Sequence, residues 1–62
     1  MKRYSLLKDL REHDCKFLRE ESKHDIYPNT LNGKTSTVPR HIEIADILAR
    51  KICKDLAILP PR

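Results

Sequence analysis

Two histidines that each follow a basic residue are the side chains of this chain best suited to chemistry. They occur as Lys23-His24 and Arg40-His41, and an Asn32-Gly33 turn separates the two pairs. Histidine changes charge near neutral pH, so it can take up or release a proton during a reaction. Basic side chains beside it suit a phosphate group. The pattern therefore predicts a site that acts on a phosphate-bearing substrate.

The size and charge of the chain limit what that substrate can be. The sequence has 62 residues, enough for one domain over residues 1–62, with 13 basic residues against 9 acidic ones and a net charge of +4. A domain this small has little room for a deep pocket, which favours a polymeric ligand over a buried small molecule. The basic excess is compatible with nucleic acid. An ordinary solvated surface explains the charge equally well.

Nothing in the pattern indicates a metal, a cofactor or a membrane. Cys15 and Cys53 lie far apart among apolar residues, so we expect two small core side chains in a reducing compartment rather than a disulfide or zinc site. The three histidines have no zinc-binding spacing. Neither a signal peptide behind Met1 nor an apolar run of about 20 residues is present. We expect a cytoplasmic protein without a membrane partner.

The periodicity predicts one α+β domain, with the element order helix, three strands, helix. Ser5 is expected to cap a first helix that ends near His13, and a second helix follows residues 41–46 and ends near Leu56. The predicted strands are Cys15–Arg19, Lys23–Tyr27 and Lys34–Val38, with a polar turn over residues 20–22. Consecutive hairpins make the sheet antiparallel, and both helices should cover one face of it. The other face is left open.

Residues in this order resemble a family of small toxins. The segments that carry the resemblance are Leu6–His13, Lys23–Asn29, Asn32-Gly33-Lys34, Val38–His41, Glu43-Ile44 and Leu48–Leu56. Together they resemble the HicA-type mRNA interferases of bacterial type II toxin–antitoxin systems. The resemblance implies a fold like that of a double-stranded-RNA-binding domain. It also implies an endoribonuclease that cleaves mRNA without a cofactor and is inhibited by a HicB-type antitoxin.

The same resemblance assigns His24 as the catalytic residue. RNA cleavage needs no metal when a base removes the 2′-hydroxyl proton and an acid protonates the leaving 5′-oxygen, and a histidine serves either role near neutral pH. Lys23 and Arg40 are the candidates to bind the phosphate, and His41 is a candidate for the second acid or base. Tyr27 is a candidate to stack on an RNA base.

Each of these assignments has a structural alternative. Strand alternation places His24 on the side of Ile26, so His24 is a buried core residue if Ile26 faces the helices. His41 can simply shape the entry to a helix, and Tyr27 can be packing. Glu21 and Ser22 stand where the family has glycines, as do Asp14 and Ala57 at the helix ends. The loss before Lys23 favours a non-cleaving RNA-binding or antitoxin-binding module of the same fold.

Overall fold

The computed structural model describes residues 1–61. The elements are α1 (Arg3–Glu12), β1 (Arg19–Glu21), β2 (His24–Pro28), β3 (Thr35–Pro39) and α2 (Asp46–Asp55). The strands form one antiparallel sheet in the order β1-β2-β3. The α+β layout predicted from the sequence is therefore confirmed. Within residues 1–61, neither helix has the length and apolar character needed to cross a membrane.

Both helices pack against the same face of the sheet. Along β2 the residues Asp25 and Tyr27 are buried, whereas His24 is exposed. Side chains alternate along a strand, so Asp25 and Tyr27 face the helices and His24 faces the opposite side. The core joins side chains from both helices and the sheet: Leu6, Leu10, Cys15, Tyr27, Val38, Ile44, Ala49, Ile52, Cys53 and Leu56. The second face of the sheet is left without a helix.

The second and third strands each lie one residue later than predicted, and two other boundaries were wrong by more. The first helix begins at Arg3 without a side-chain cap, so Ser5 lies inside it. The first strand is Arg19–Glu21 rather than Cys15–Arg19. Leu18 still donates its N–H to the Ile26 carbonyl at 2.8 Å, so the preceding residues run beside β2. The polar residues Glu20 and Glu21 indicated a turn, but an exposed edge strand tolerates charge on both faces.

Both cysteines are buried free thiols, as predicted from their apolar neighbours. Burial raises the pKa of the Cys15 thiol, and it raises that of Cys53 to about 11. A thiol that stays protonated is a poor nucleophile and a poor metal ligand. Within residues 1–61 no three histidine, cysteine or acidic side chains come together as a metal-binding group.

Among residues 1–61, four residues other than glycine adopt the left-handed backbone conformation. They are Asp14 (φ 64°), Ser22 (φ 51°), Lys23 (φ 63°) and Ala57 (φ 57°). Asp14 and Ala57 directly follow the C-cap residues of the two helices, where a left-handed residue closes the last turn. Residues with a Cβ atom are disfavoured in this region by roughly 1–2 kcal/mol. The chain thus keeps glycine-like geometry at positions where it lacks glycine.

This geometry predicts that Ala57→Gly stabilises the protein. Ala57 is exposed, and its methyl group restricts a backbone that has to be left-handed. Glycine removes that restriction, and part of the gain is lost to the greater freedom of the unfolded chain. We expect the free energy of unfolding to rise by about 0.5–1 kcal/mol, measured by urea denaturation.

Gly33→Ala is the reciprocal control. Gly33 has φ 76°, and a Cβ atom added there would meet nothing within 4 Å. Any loss of stability must then come from the backbone, and we expect about 1 kcal/mol. If Ala57→Gly destabilised the protein while Gly33→Ala also did so, the left-handed conformation at Ala57 would be wrong.

Candidate functional site

A two-residue turn places His24 at the start of its strand. Glu21 pairs with His24 across the β1–β2 ladder, so Ser22 and Lys23 form the whole connection. Both have positive φ, which defines a type I′ turn, the type whose twist matches that of the flanking strands. The chain makes this turn without glycine. His24 thereby occupies the corner of the sheet immediately after the turn.

The His24 ring is exposed, and one of its nitrogens is already bonded. Nδ1 lies 3.0 Å from the backbone oxygen of Ser22. A carbonyl oxygen only accepts, so Nδ1 carries the proton and donates it. In the neutral ring the lone pair is then on Nε2, which is the arrangement required of a general base. His24 is therefore not the buried core residue that the Ile26 alternation had left open.

Four of the five predicted site residues line a single cleft. The cleft has a volume of about 350 Å³, and its lining residues are Ser22, Lys23, His24, Pro39, Arg40 and His41. His24 pairs with Pro39 across the sheet, so Arg40 and His41 follow directly at the same corner. Residues about 17 positions apart in sequence thus meet because β3 returns antiparallel to β2.

Tyr27 does not belong to this site, and its predicted base-stacking role is dropped. Its side chain is 5% exposed and part of the core. The ring lies edge-on to Phe17, with centroids 6.0 Å apart and an interplanar angle of 68°. Burial also raises the pKa of the phenol. Tyr27 faces the helices because it alternates with His24 and Ile26, so the packing alternative holds.

Carboxylates partly neutralise the cations at the cleft. Arg40 forms an ion pair with Glu20, which raises the pKa of the guanidinium above its usual value. Its Nε atom also lies 3.6 Å from Oδ1 of Asp25. Glu21 is paired with Arg19, at 3.0 Å from Nε to Oε2. Each of the two acidic residues before the turn is therefore matched by an arginine.

Arg3 holds together the strands that form the cleft, a role that the sequence did not predict. It pairs with the buried carboxylate of Asp25, and its Nε donates to the Pro39 carbonyl at 3.0 Å. One guanidinium thus ties α1 to both β2 and β3 next to the site. The only sequence signal was an acidic residue at an inward strand position, where a buried charge needs a partner. That signal does not say which basic residue is the partner.

A larger groove is lined by acidic side chains of α1 instead. It has a volume of about 550 Å³, and Asp9 and Glu12 line it together with His13. These carboxylates disfavour an anionic ligand. The smaller cleft at His24, which two basic side chains line, suits an anion better.

Comparison of the chain with family models, with characterised proteins and with solved structures found no match in any of the three. The resemblance drawn from the residues thus stays a prediction. The chemistry of the site has to be argued from its own geometry.

The ion pair beneath the cleft makes a prediction about stability. Asp25→Asn leaves the Arg3 guanidinium without its counter-charge in a largely buried position, and we expect a loss of about 3 kcal/mol in the free energy of unfolding. In the double variant with Arg3→Met, the loss in the free energy of unfolding should be about 1–3 kcal/mol smaller than the sum of the losses of the two single variants. Lys51→Met breaks the exposed pair with Asp55 and should cost less than about 1 kcal/mol. Additive losses at Arg3 and Asp25 in urea denaturation would contradict the pairing.

Proposed function

We propose that the protein is a metal-independent endoribonuclease of the HicA type, with His24 as its catalytic residue. The observation that carries the proposal is the His24 ring, which is exposed and has Nδ1 bonded to the Ser22 carbonyl, so that the lone pair lies on Nε2. It shares one cleft with Lys23, Arg40 and His41. A base, a second histidine and two cations are what cleavage of a ribose phosphodiester requires.

The reaction uses a nucleophile that RNA itself contains. Nε2 of His24 removes the proton from a ribose 2′-hydroxyl, and that oxygen attacks the adjacent phosphorus. The bond from phosphorus to the 5′-oxygen of the next nucleotide breaks, and protonated His41 gives that oxygen a proton. The products are a 2′,3′-cyclic phosphate and a 5′-hydroxyl. Each histidine ends in the state in which the other began, so proton exchange with water resets the site.

Lys23 and Arg40 contribute by charge. Negative charge grows on the phosphate oxygens as the pentacoordinate state forms, and fixed cations stabilise that state more than the substrate. Lys23 is exposed in the turn beside His24. Arg40 has to exchange part of its contact with Glu20 for the phosphate.

The α+β layout is compatible with the implied double-stranded-RNA-binding-domain-like fold, which belongs to the same proposal. The substrate, mRNA, and the partner, a HicB-type antitoxin, are also part of this proposal. The cleft is shallow and lies at a corner of the sheet, so a protein that covers Ser22–His24 would exclude a long RNA chain. Inhibition by coverage needs no change in the fold of the toxin.

The decisive experiment is cleavage of RNA by the purified protein in EDTA, followed by analysis of the product ends. We expect 2′,3′-cyclic phosphate and 5′-hydroxyl ends. His24→Ala should lower the rate by about 100-fold or more, with the fold unchanged in circular dichroism because the ring is exposed. A strict requirement for a divalent cation, or full activity of His24→Ala, would refute the mechanism.

His13→Ala is the matched control, because it removes a histidine that lines the acidic groove instead of the cleft. Its cleavage rate should equal that of the unaltered protein. The alternative function, an RNA-binding module that does not cleave, is favoured by the pairing of Arg40 with Glu20. It predicts salt-dependent RNA binding without any cleaved ends.

The Glu20–Arg40 pair gives a prediction that applies to both functions. Glu20→Gln releases the Arg40 guanidinium from its exposed partner, so the cleft becomes more positive. We expect single-stranded RNA to bind about fivefold more tightly at low salt, equivalent to roughly 1 kcal/mol, as measured by fluorescence anisotropy. The gain should shrink as salt is added. Glu12→Gln, in the remote groove, is the control, and an equal gain there would indicate a general charge effect.

A further inference from the structure

The outer edge of β3, like that of β1, has backbone groups without strand partners within residues 1–61. Leu18 donates to the Ile26 carbonyl, so Ile26 turns its backbone groups towards β1. Ile26 is paired with Thr37 in the β2–β3 register. In an antiparallel ladder such a pair is not hydrogen bonded, and Thr37 therefore turns its own N–H and C=O outwards. The same holds two residues earlier, at Thr35. Within residues 1–61 neither threonine has a backbone partner on that side.

The two edges of the sheet differ in how they are protected. β1 consists of Arg19, Glu20 and Glu21, and charged side chains discourage another strand from pairing there. The centre of β3 is uncharged, with the sequence Thr35-Ser36-Thr37-Val38. Its protecting residues, Lys34 and Pro39, stand only at its ends. β3 is thus an open template for one more short strand.

Helix α2 adds a side-chain surface next to this edge. It packs against β3, and Ser36 donates its hydroxyl to Asp55 at 3.5 Å. Asp55 in turn accepts from Lys51 at 3.0 Å, one helical turn earlier. Ile47 precedes Lys51 by one further turn and is 79% exposed. A strand added to β3 would therefore lie beside an exposed apolar residue and a lysine.

We propose that the edge of β3 binds an extended, acidic segment of a partner protein by adding a strand to the sheet. Main-chain hydrogen bonds to Thr35 and Thr37 give the affinity in this mode of recognition, and side chains give the specificity. The basic residues around the edge, Lys34 and Lys51, select for negative charge in the partner, and Lys51 exchanges part of its contact with Asp55 for that charge. The net charge of +4 acts in the same direction over a longer range.

A second copy of this chain fits the edge less well. Two β3 strands paired antiparallel would bring the Lys34 end of each strand to the Arg40 end of the other. Like charges directly opposite each other destabilise a strand pair. The edge therefore favours a partner with opposite charge over itself.

This proposal is independent of the nuclease activity, so its test uses the full chain carrying His24→Ala. A phage-displayed library of random peptides is selected on the immobilised protein. We expect the enriched peptides to be rich in aspartate and glutamate and to have β-branched residues at their centre. In ¹⁵N NMR spectra, a synthetic peptide of the enriched sequence should shift the amides of Thr35 and Thr37.

Thr37→Pro is the discriminating variant. Proline removes an outward N–H that the β2–β3 ladder does not use, and Pro39 already occupies the equivalent outward position in the same strand. Peptide binding should weaken about tenfold or more, while Thr37→Val, which keeps the N–H, should bind as before. Lys34→Glu combined with Lys51→Glu should weaken binding to a similar degree, and Lys8→Glu on α1 should not.

Three outcomes would overturn the proposal. One is the absence of enriched peptides, or the enrichment of neutral or basic ones. Another is unchanged peptide binding by Thr37→Pro, which would place the contact elsewhere. The last is a dimer in sedimentation equilibrium that Thr37→Pro abolishes, which would make a second copy the occupant of the edge.

Discussion

The ion pair between Arg3 and Asp25 is the contact on which the rest of the structure depends. Asp25 has to be inside, because it alternates with an outward His24 on the same strand. A buried carboxylate is tolerated only with a partner, and Arg3 supplies it from the first turn of α1. The same guanidinium binds the Pro39 carbonyl. The helix, the central strand and the end of β3 are thereby fixed beside the corner that holds His24.

The orientation of the His24 ring is determined by local chain geometry. The left-handed backbone of Ser22 and Lys23 brings the Ser22 carbonyl to Nδ1 of His24, and so determines which nitrogen of the ring stays open. Glycine would make such a turn with less strain. The chain instead keeps polar side chains there, and one of them is a lysine that adds charge to the cleft. At Ser22 and Lys23, glycine would relieve backbone strain, whereas the lysine present adds positive charge to the cleft.

Much of the architecture could be predicted from the sequence, and particular residues show why the rest could not. Val38 and the apolar stripe of α2 made β3 and α2 predictable, because a buried face requires apolar residues at a regular spacing. Glu20 and Glu21 did not indicate a strand, since this exposed edge strand has no buried face that would require regularly spaced apolar residues. His24, Lys23, Arg40 and His41 could be grouped from order alone, because the hairpin of β2 and β3 returns the chain to one corner. The sequence could not predict which face of β2 is buried, because that depends on whether Asp25 pairs with a cation from a residue distant in sequence.

The pairing of His24 with Pro39 also makes the chemistry sensitive to strand register. A slip of a single residue between β2 and its neighbours would turn every side chain of the strand to the opposite face. The imidazole would then point into the core and the carboxylate of Asp25 would point towards the bulk solvent. Such a misaligned hairpin would retain nearly the same backbone, yet it would have an anion where the proposed reaction needs a base. The buried carboxylate of Asp25 therefore favours the correct register, since it pairs with the Arg3 guanidinium only when the strands are aligned.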